Sequence, residues 1–495
     1  MTQSQHDGPQ TPKDDPHHAP GDGSPGAPLH RDDPSSEGGE GQTETALNPS
    51  GFSARIASAL GDDDRAGVLA LFTQMHPADA ADVLEQLSFD QRLAVLSIVR
   101  DTFDPEILSE LDETVRDEVI EQLGLGRVAE AIAELESDDA VYVLEELDEK
   151  DQQTVLEAIP DSDRVLIEEG LAYPDDSAGR LMQREVMTVP LFWTVGEAID
   201  FMRTSAETEQ WQLPDIFYDI FVVDPKRVPI GRIALSMLLR SKRQLPVADI
   251  MSAVMHPISV ETDQEDVAHL FRQRDLVSAP VVDAAGRLVG AITIDDVVDV
   301  IDEEHEDDIL RMGGVREDDL YSATMATTRT RFSWLLINLL TAILASSVIG
   351  VFAATIHQIV ALAILMPIVA SMGGNAGTQT LTVVVRALAT KELTSTNTLR
   401  QVSKELMVGA VNGVLFAVLM GGVAWAWFAS PMIGIVIALA MVVNMIVAGF
   451  AGATIPLGLE KMGVDPAIAS SVFLTTVTDV VGFLVFLGLG TLFLL

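Results

Sequence analysis

The chain contains no cysteine, which excludes disulfides and thiolate metal sites. It is poor in bases: 31 Lys and Arg stand against 74 Asp and Glu, a formal net charge of -43. That balance repels nucleic acid and attracts metal cations, so no nucleic-acid partner is expected. There is no Gly-x-x-x-x-Gly-Lys-Ser/Thr phosphate loop, and no nucleophile–base set or closed metal triad stands out. The chain is therefore not read as an enzyme. Residues 1–50 nearly lack apolar side chains and read as a disordered tail. His6, His17, His18 and His30 could hold a metal loosely, but the composition favours a plain tail. The polar, acidic N-terminus does not read as a cleavable signal peptide, and it is expected in the cytoplasm.

Despite this charge the chain is 48% hydrophobic. A uniform globule cannot combine the two, so the charge must be segregated. Residues 329–495 hold seven Lys/Arg and five Asp/Glu, which leaves about -45 on the rest. The acidic part is soluble, and the near-neutral part enters a membrane.

Within 51–177 short amphipathic helices recur. Ala80-Ala81-Asp82-Val83-Leu84-Glu85-Gln86-Leu87 is matched in type by residues 128–135 and 140–147. Each begins behind an acidic, Ser or Pro cap. Short helices in tandem cannot bury their faces singly, so an α-helical solenoid is expected.

Residues 178–302 change to an α/β texture. Residues 279–283 and 286–294 read as two strands joined by an Asp/Gly turn, and a helix then starts at Asp295. Residues 220–224, 228–233 and 235–239 repeat that order, and 181–189 parallels 250–260. This duplicated pattern resembles a tandem CBS pair, a regulatory module.

Nine acids fall within the fourteen residues from Asp295 to Asp308. On a helix, Asp296, Asp299, Glu303, Glu304 and Asp307 spread over two adjacent faces and repel one another. Dense carboxylate oxygens suit Mg²⁺ or Ca²⁺. The bland alternative is a solvated acidic linker. Residues 303–328 read as the connecting segment.

Five apolar spans follow, at 332–355, 359–390, 406–429, 432–459 and 467–495. Every Lys and Arg among them falls on one side under this count, which places the N-terminus in the cytoplasm and the C-terminus outside. The second span holds Pro367 and then Gly373-Gly374-Asn375-Ala376-Gly377-Thr378-Gln379, so a kink or local unwinding at membrane depth is expected. Asn375 and Gln379, four apart, favour a pore or gate; close helix packing is the alternative.

The last span is apolar except around Asp479. A carboxylate at such depth costs several kcal/mol, roughly 2.5–3.5 on insertion scales. Thr475, Thr476, Asp479 and Gly482 share a narrow polar side on a helix, which reads as a cation site. A helix–helix hydrogen bond from a protonated Asp is the alternative.

Taken in order, these parts resemble the MgtE-type magnesium channels and transporters. The motifs that carry the likeness are Pro367 with Gly373-Gly374-Asn375-x-Gly377-x-Gln379, Gly463-Val464-Asp465-Pro466 and Thr478-Asp479-Val480. The resemblance covers roughly residues 52–495. It implies a homodimer in the cell (plasma or inner) membrane, surrounded by lipid. Its pore is lined by the second and fifth spans, with Asp479 meeting hydrated Mg²⁺. Candidate pore-lining residues are Gly373, Gly374, Asn375, Gly377, Gln379, Ser471 and Thr475. Ser471 stands where an amide is expected, a departure that bears on fine coordination. The resemblance further implies that cytosolic Mg²⁺ closes the pore through Glu106, Asp138, Asp263, Asp275, Asp296, Asp299, Glu304 and Asp307. ATP binding at the CBS pair is a family property, and the irregular loop at 205–216 would carry it. The implied activity is Mg²⁺ import down the membrane potential. The rival readings are transport of Co²⁺, Mn²⁺ or Ni²⁺, and a non-transporting membrane sensor with the CBS pair as receiver.

Overall fold

The computed structural model describes residues 49–207, 213–214, 216–253, 255–315, 324–394 and 396–495. The four tail histidines, and half of the loop expected to carry ATP, lie outside the described residues.

The solenoid consists of α1 (Pro49–Gly61), α2 (Arg65–Phe72), α3 (Pro77–Gln86), α4 (Phe89–Val99), α5 (Glu113–Leu123), α6 (Leu125–Ile132), α7 (Ser137–Glu145), α8 (Glu149–Ala158) and α9 (Asp161–Leu171). Caps define these helices. Asp64, Asp112 and Asp148 accept backbone N–H groups at the starts of α2, α5 and α8, satisfying orphan donors. Each helix contributes between one and four buried apolar residues to one continuous core, among them Val83, Leu84, Leu96, Ile132 and Leu144. No single helix could bury its face alone, as the repeats require. Arg116 is buried in the stack; it donates to the Leu111 carbonyl at 2.8 Å and lies over the Tyr142 ring at 4.4 Å.

The next unit contains α10 (Ala178–Leu181), β1 (Thr188–Pro190), α11 (Val195–Glu207), β2 (Asp219–Val223), β3 (Pro229–Ala234), α12 (Leu235–Arg240) and α13 (Val247–Ile250). The second copy has β4 (Ile258–Ser259), α14 (Gln264–Arg274), β5 (Ser278–Val282) and β6 (Leu288–Thr293). The duplication is exposed by register. In each copy the first strand pairs parallel with the second, the second antiparallel with the third, and the register slips at Val222/Val223 or Val281/Val282. The repeated methionines explain themselves as packing. Met251 lies on Gly231 of the first sheet and Met182 on Gly290 of the second, so each sheet is completed by the segment preceding the other copy. Asp219 accepts from Arg232 of its own sheet at 2.7 Å and, across the pair, from Ser278 at 2.9 Å.

A single helix, α15 (Ile294–Gly313), closes the second copy and continues as the acidic connecting segment. The division drawn at residue 302/303 therefore falls inside one helix. The helix stops at Gly314, whose φ of +71° suits glycine and whose missing Cβ leaves room for the Trp334 ring. Residues 316–323 lie outside the described residues.

The C-terminal region is a helical bundle: α16 (Thr324–Val351), a short α17 (Ala353–Gln358), α18 (Val360–Ala389), α19 (Thr398–Phe428), α20 (Pro431–Lys461) and α21 (Pro466–Leu494). Five of these helices are long and apolar enough to cross a membrane. Their outer surfaces stay apolar: Leu335, Leu339, Leu340 and Ile343 of α16 are each more than half exposed, as a lipid-facing helix requires. Two expectations need correction. The second span is helical from Val360 through Ala389, with no unwinding at residues 373–379. Pro367 removes one N–H donor, and the glycines serve packing; a Cβ on Gly377 would come 2.7 Å from Leu474. The third helix starts at Thr398 rather than 406, because Arg400, Gln401, Lys404 and Glu405 extend it beyond its apolar stretch. The central element is α20, which packs on α18, α19 and α21. Glycines allow close backbone approach there, with Gly449 against the Glu405 carbonyl and Gly452 against the Gly377 carbonyl.

Candidate functional site

Two regions collect functional side chains: the bundle helices α18 and α21, and the acidic helix α15 with its neighbours.

In the bundle, α21 is 29 residues long, about 43 Å at 1.5 Å per residue, and Asp479 stands midway along it. Asp465 caps its start, accepting from the Ala467 N–H at 2.7 Å. Asp479 is half-buried, with Ser471 and Thr476 half-buried and Thr475 exposed on the same helix. Gly482 is buried against Asn444 of α20, so it belongs to the helix packing. On α18, Gly373 and Gly377 are buried against Asn444 and Leu474, and Gly374 is half-buried. Asn375 and Gln379 are exposed, on the side turned away from that packing. An apolar helix thus presents two amides outward, where lipid would leave them unsatisfied.

Around α15 the acids divide over the two expected faces. One face meets the solenoid across a cavity of about 460 Å³ lined by Asp138, Asp139, Tyr142, Asp296, Asp299 and Glu303 among others. Asp138 is brought there by the N-terminal turn of α7, and Asp296 by a capping box with Thr293 at the start of α15. Burial, reinforced by the facing Asp296 carboxylate, pushes Asp138 well above the usual carboxylate range. Burial likewise raises Asp296, partly offset by hydrogen bonds from Thr293. Asp139 is pushed up to about 6 by burial and then by Glu106. Burial raises Asp299 too, with Asp295 and Asp302 adding to it. Glu106 itself is exposed on a 3₁₀ turn, Pro105–Leu108, beside this cluster.

The other face of α15 meets the second CBS copy and the ends of the bundle helices. A cavity of about 650 Å³ is lined there by Asp176, Asp263, Glu304, Asp308, Arg311 and Asp465 among others. Glu304 accepts from Gln264 at 3.0 Å and is raised by burial and then by Asp263. Asp263 caps α14, accepting from the Glu265 N–H at 3.0 Å. Asp307 pairs with Arg311, which also holds Asp465 at 2.8 Å. Met312 packs with Leu381, Val385, Ala467 and Leu474 of the bundle. Lys391, just beyond α18, pairs with Asp266 of α14. The connecting helix is therefore fastened to the starts and ends of the helices that carry Asn375, Gln379 and Asp479.

Of the acids singled out in the sequence, Asp138, Asp296 and Asp299 come together with Glu106 close by, and Asp263, Glu304 and Asp307 form the second group. Asp275 is apart, an exposed left-handed cap at the end of α14. Among the described residues no trio of His, Asp or Glu converges on a point able to hold a metal ion. Sequence reading passed over Asp139, Asp176 and Arg311, and took in Asp308 only as part of the acidic run. It also passed over Glu405, which is buried and accepts from Thr380 and Gln401, each at 3.1 Å. Asp465 lay within a quoted motif, and its neighbour Pro466 was the signal for a helix start.

Comparison with known proteins gives these parts a context. The family model described as a divalent cation transporter, MgtE, matches residues 366–489. The MgtE intracellular N domain matches 75–176, and a CBS domain matches 247–303. The magnesium transporter MgtE of Thermus thermophilus is 36% identical over 330 residues, covering 66% of this chain and 72% of that one. The magnesium transporter MgtE of Enterococcus faecalis is 31% identical over 328 residues, covering 66% and 71%. A crystal structure of the cytosolic domain of the Mg²⁺ channel MgtE in complex with ATP matches 50% of this chain and 99% of its own, at 30% identity and a TM-score of 0.46. The chain belongs to the MgtE family of divalent cation transporters.

Proposed function

We propose that the chain forms a Mg²⁺ channel whose path runs along α18 and α21, and that cytosolic Mg²⁺ closes it. The observation that carries the reading is Asp479: the one ionisable residue of α21, midway along a helix long enough to cross the membrane. An intramembrane acid is expensive and marks an ion path. Mg²⁺ dehydrates reluctantly and keeps much of its water shell, so it needs few direct ligands. One carboxylate from each of two subunits would form a compact negative ring. The outward amides Asn375 and Gln379 support a homodimer, since a second copy would cover them. A divalent ion moving inward gains about 4.6 kcal/mol per 100 mV, twice the single-charge value, so no ATP hydrolysis is required.

For closure, the physics is repulsion offset by metal. The acids on both faces of α15 are raised by burial and by one another. Hydrated Mg²⁺ bridging Asp138 to Asp296, and Asp263 to Glu304, would offset that cost and favour the docked α15. Water-bridged binding by carboxylate pairs is compatible with the lack of any converging trio among the described residues. Asp275 would act only across a subunit boundary. ATP at the CBS pair would tune the same docking.

The test is Mg²⁺ uptake into proteoliposomes by the parent and by Asp479→Asn, which keeps shape and removes charge. Uptake should fall at least tenfold at equal insertion. Parent-like uptake by the variant would sink the reading, and competition by Co²⁺, Mn²⁺ and Ni²⁺ in the same assay ranks the ions.

A further inference from the structure

Asn444 is the lone side-chain amide of α20, the fourteenth of 31 residues in an otherwise apolar mid-section. It is 1% exposed. Its Nδ2 donates to the Val369 carbonyl of α18 at 2.8 Å. Its Oδ1 is buried with no hydrogen-bond partner among the described residues. Two glycines open toward it: a Cβ on Gly482 of α21 would lie 2.9 Å from Nδ2, and one on Gly373 of α18 would lie closer still. A single side chain thus fills a notch cut from both helices. On α18 it grips the turn 369–373, directly before Asn375 and Gln379. On α21 it rests at Gly482, one turn beyond Asp479.

We propose that Asn444 is a positioning residue for ion passage, a wedge that fixes how α18 and α21 stand against each other and hence where Gln379 and Asp479 lie. The inference rests on the ion path proposed above. Packing alone does not explain the residue. An orphaned carbonyl oxygen in an apolar bundle is costly, and an apolar side chain with a reshaped notch would avoid that cost. Departures of this kind gather where function sets the geometry. A glycine at 373 allows the amide to reach a carbonyl that already serves its own helix, tying rotation of α18 to α20.

The chain has no native cysteine, so introduced pairs report cleanly. Gln379 and Thr475 are both exposed. With Gln379→Cys and Thr475→Cys carrying nitroxides, and labelled chain diluted into unlabelled chain in nanodiscs, the interlabel distance should be narrow with Asn444 and broadened or shifted with Asn444→Ala. In proteoliposomes, without the labels, Asn444→Ala should cut Mg²⁺ uptake roughly ten- to a hundredfold, the scale of an ångström misplacement, and lower the Mg²⁺-to-Co²⁺ uptake ratio. Gly373→Ala should clash with the amide. Combining it with Asn444→Ala should restore thermal stability and insertion but not the ion ratio. An unchanged label distance in Asn444→Ala overturns the proposal, as does a double variant that regains the parent ratio. Should the parent itself fail to move Mg²⁺, the ion path is wrong. The label distance still decides whether Asn444 holds the two helices.

Discussion

At the scale of single residues, backbone conformation and charge burial make separate demands. Gly314 ends α15 in the left-handed region, beneath Trp334 of α16. An alanine there meets the left-handed penalty, roughly 1–2 kcal/mol, and a clash with the indole. Gly314→Ala should free the end of α15, so that limited proteolysis cuts near residue 315 even in saturating Mg²⁺. Cleavage that keeps the parent's Mg²⁺ dependence would show that the Trp334 contact is idle. Asp139 offers a second case. Its pKa is raised from 3.8 to about 6 in the docked form. The docked form therefore holds the proton more tightly; this stabilisation is fully present below pH 3.8 and is lost as pH rises through about 6. In Mg²⁺-free buffer, proteolysis of the solenoid–α15 contact should slow as pH falls from 8 to 5.5. Asp139→Asn should make that profile shallower, the remainder belonging to Asp138, Asp296 and Asp299, which burial also raises. A profile unchanged by the substitution would assign the pH dependence to other groups.

At the scale of elements, α15 is one continuous helix shared by the CBS pair and the bundle mouth. Its acids favour release, while Arg311, Met312 and the Gly314–Trp334 contact favour docking. A ligand shifts this balance only by its differential affinity for the two positions. Changing Asp296, Asp299, Glu304 and Asp307 together to Ala should remove Mg²⁺ protection of residues 296–315 and leave a channel that stays open at high cytosolic Mg²⁺. Neutralisation also relieves repulsion, so this outcome requires metal bridging to contribute more than the repulsion it offsets. Patch recordings in which the variant closes with ordinary Mg²⁺ dependence would remove these acids from the sensor.

At the scale of the whole molecule, two contacts fix which bundle ends face the soluble domains: Lys391 with Asp266 after α18, and Asp465 with Arg311 before α21. The same ends carry the bundle's basic residues, so the positive-inside rule predicts that this side faces the cytoplasm. A reporter fused after Leu495 should be reached from outside, and one before Met1 only from within. Finding both on one side would mean that one of the five helices does not cross.

Much of this architecture is local in origin, and local signals are visible in sequence. Capped amphipathic repeats imply a solenoid because short helices must stack. The duplicated strand pattern fixes two sheets. Spans of apolar residues imply membrane crossing, and Asp479 is conspicuous because nothing around it is charged. The tertiary structure decided what depends on neighbours far along the chain. Gly373 and Gly377 read as a broken helix until Asn444 and Leu474 filled their notches. Asp138 and Asp296 were two acids among many until folding set them across one cavity, where shared burial raises both. Composition determines how much charge and apolar surface must be placed; only packing decides which groups meet, because helix rotation and depth are set by contacts between distant residues.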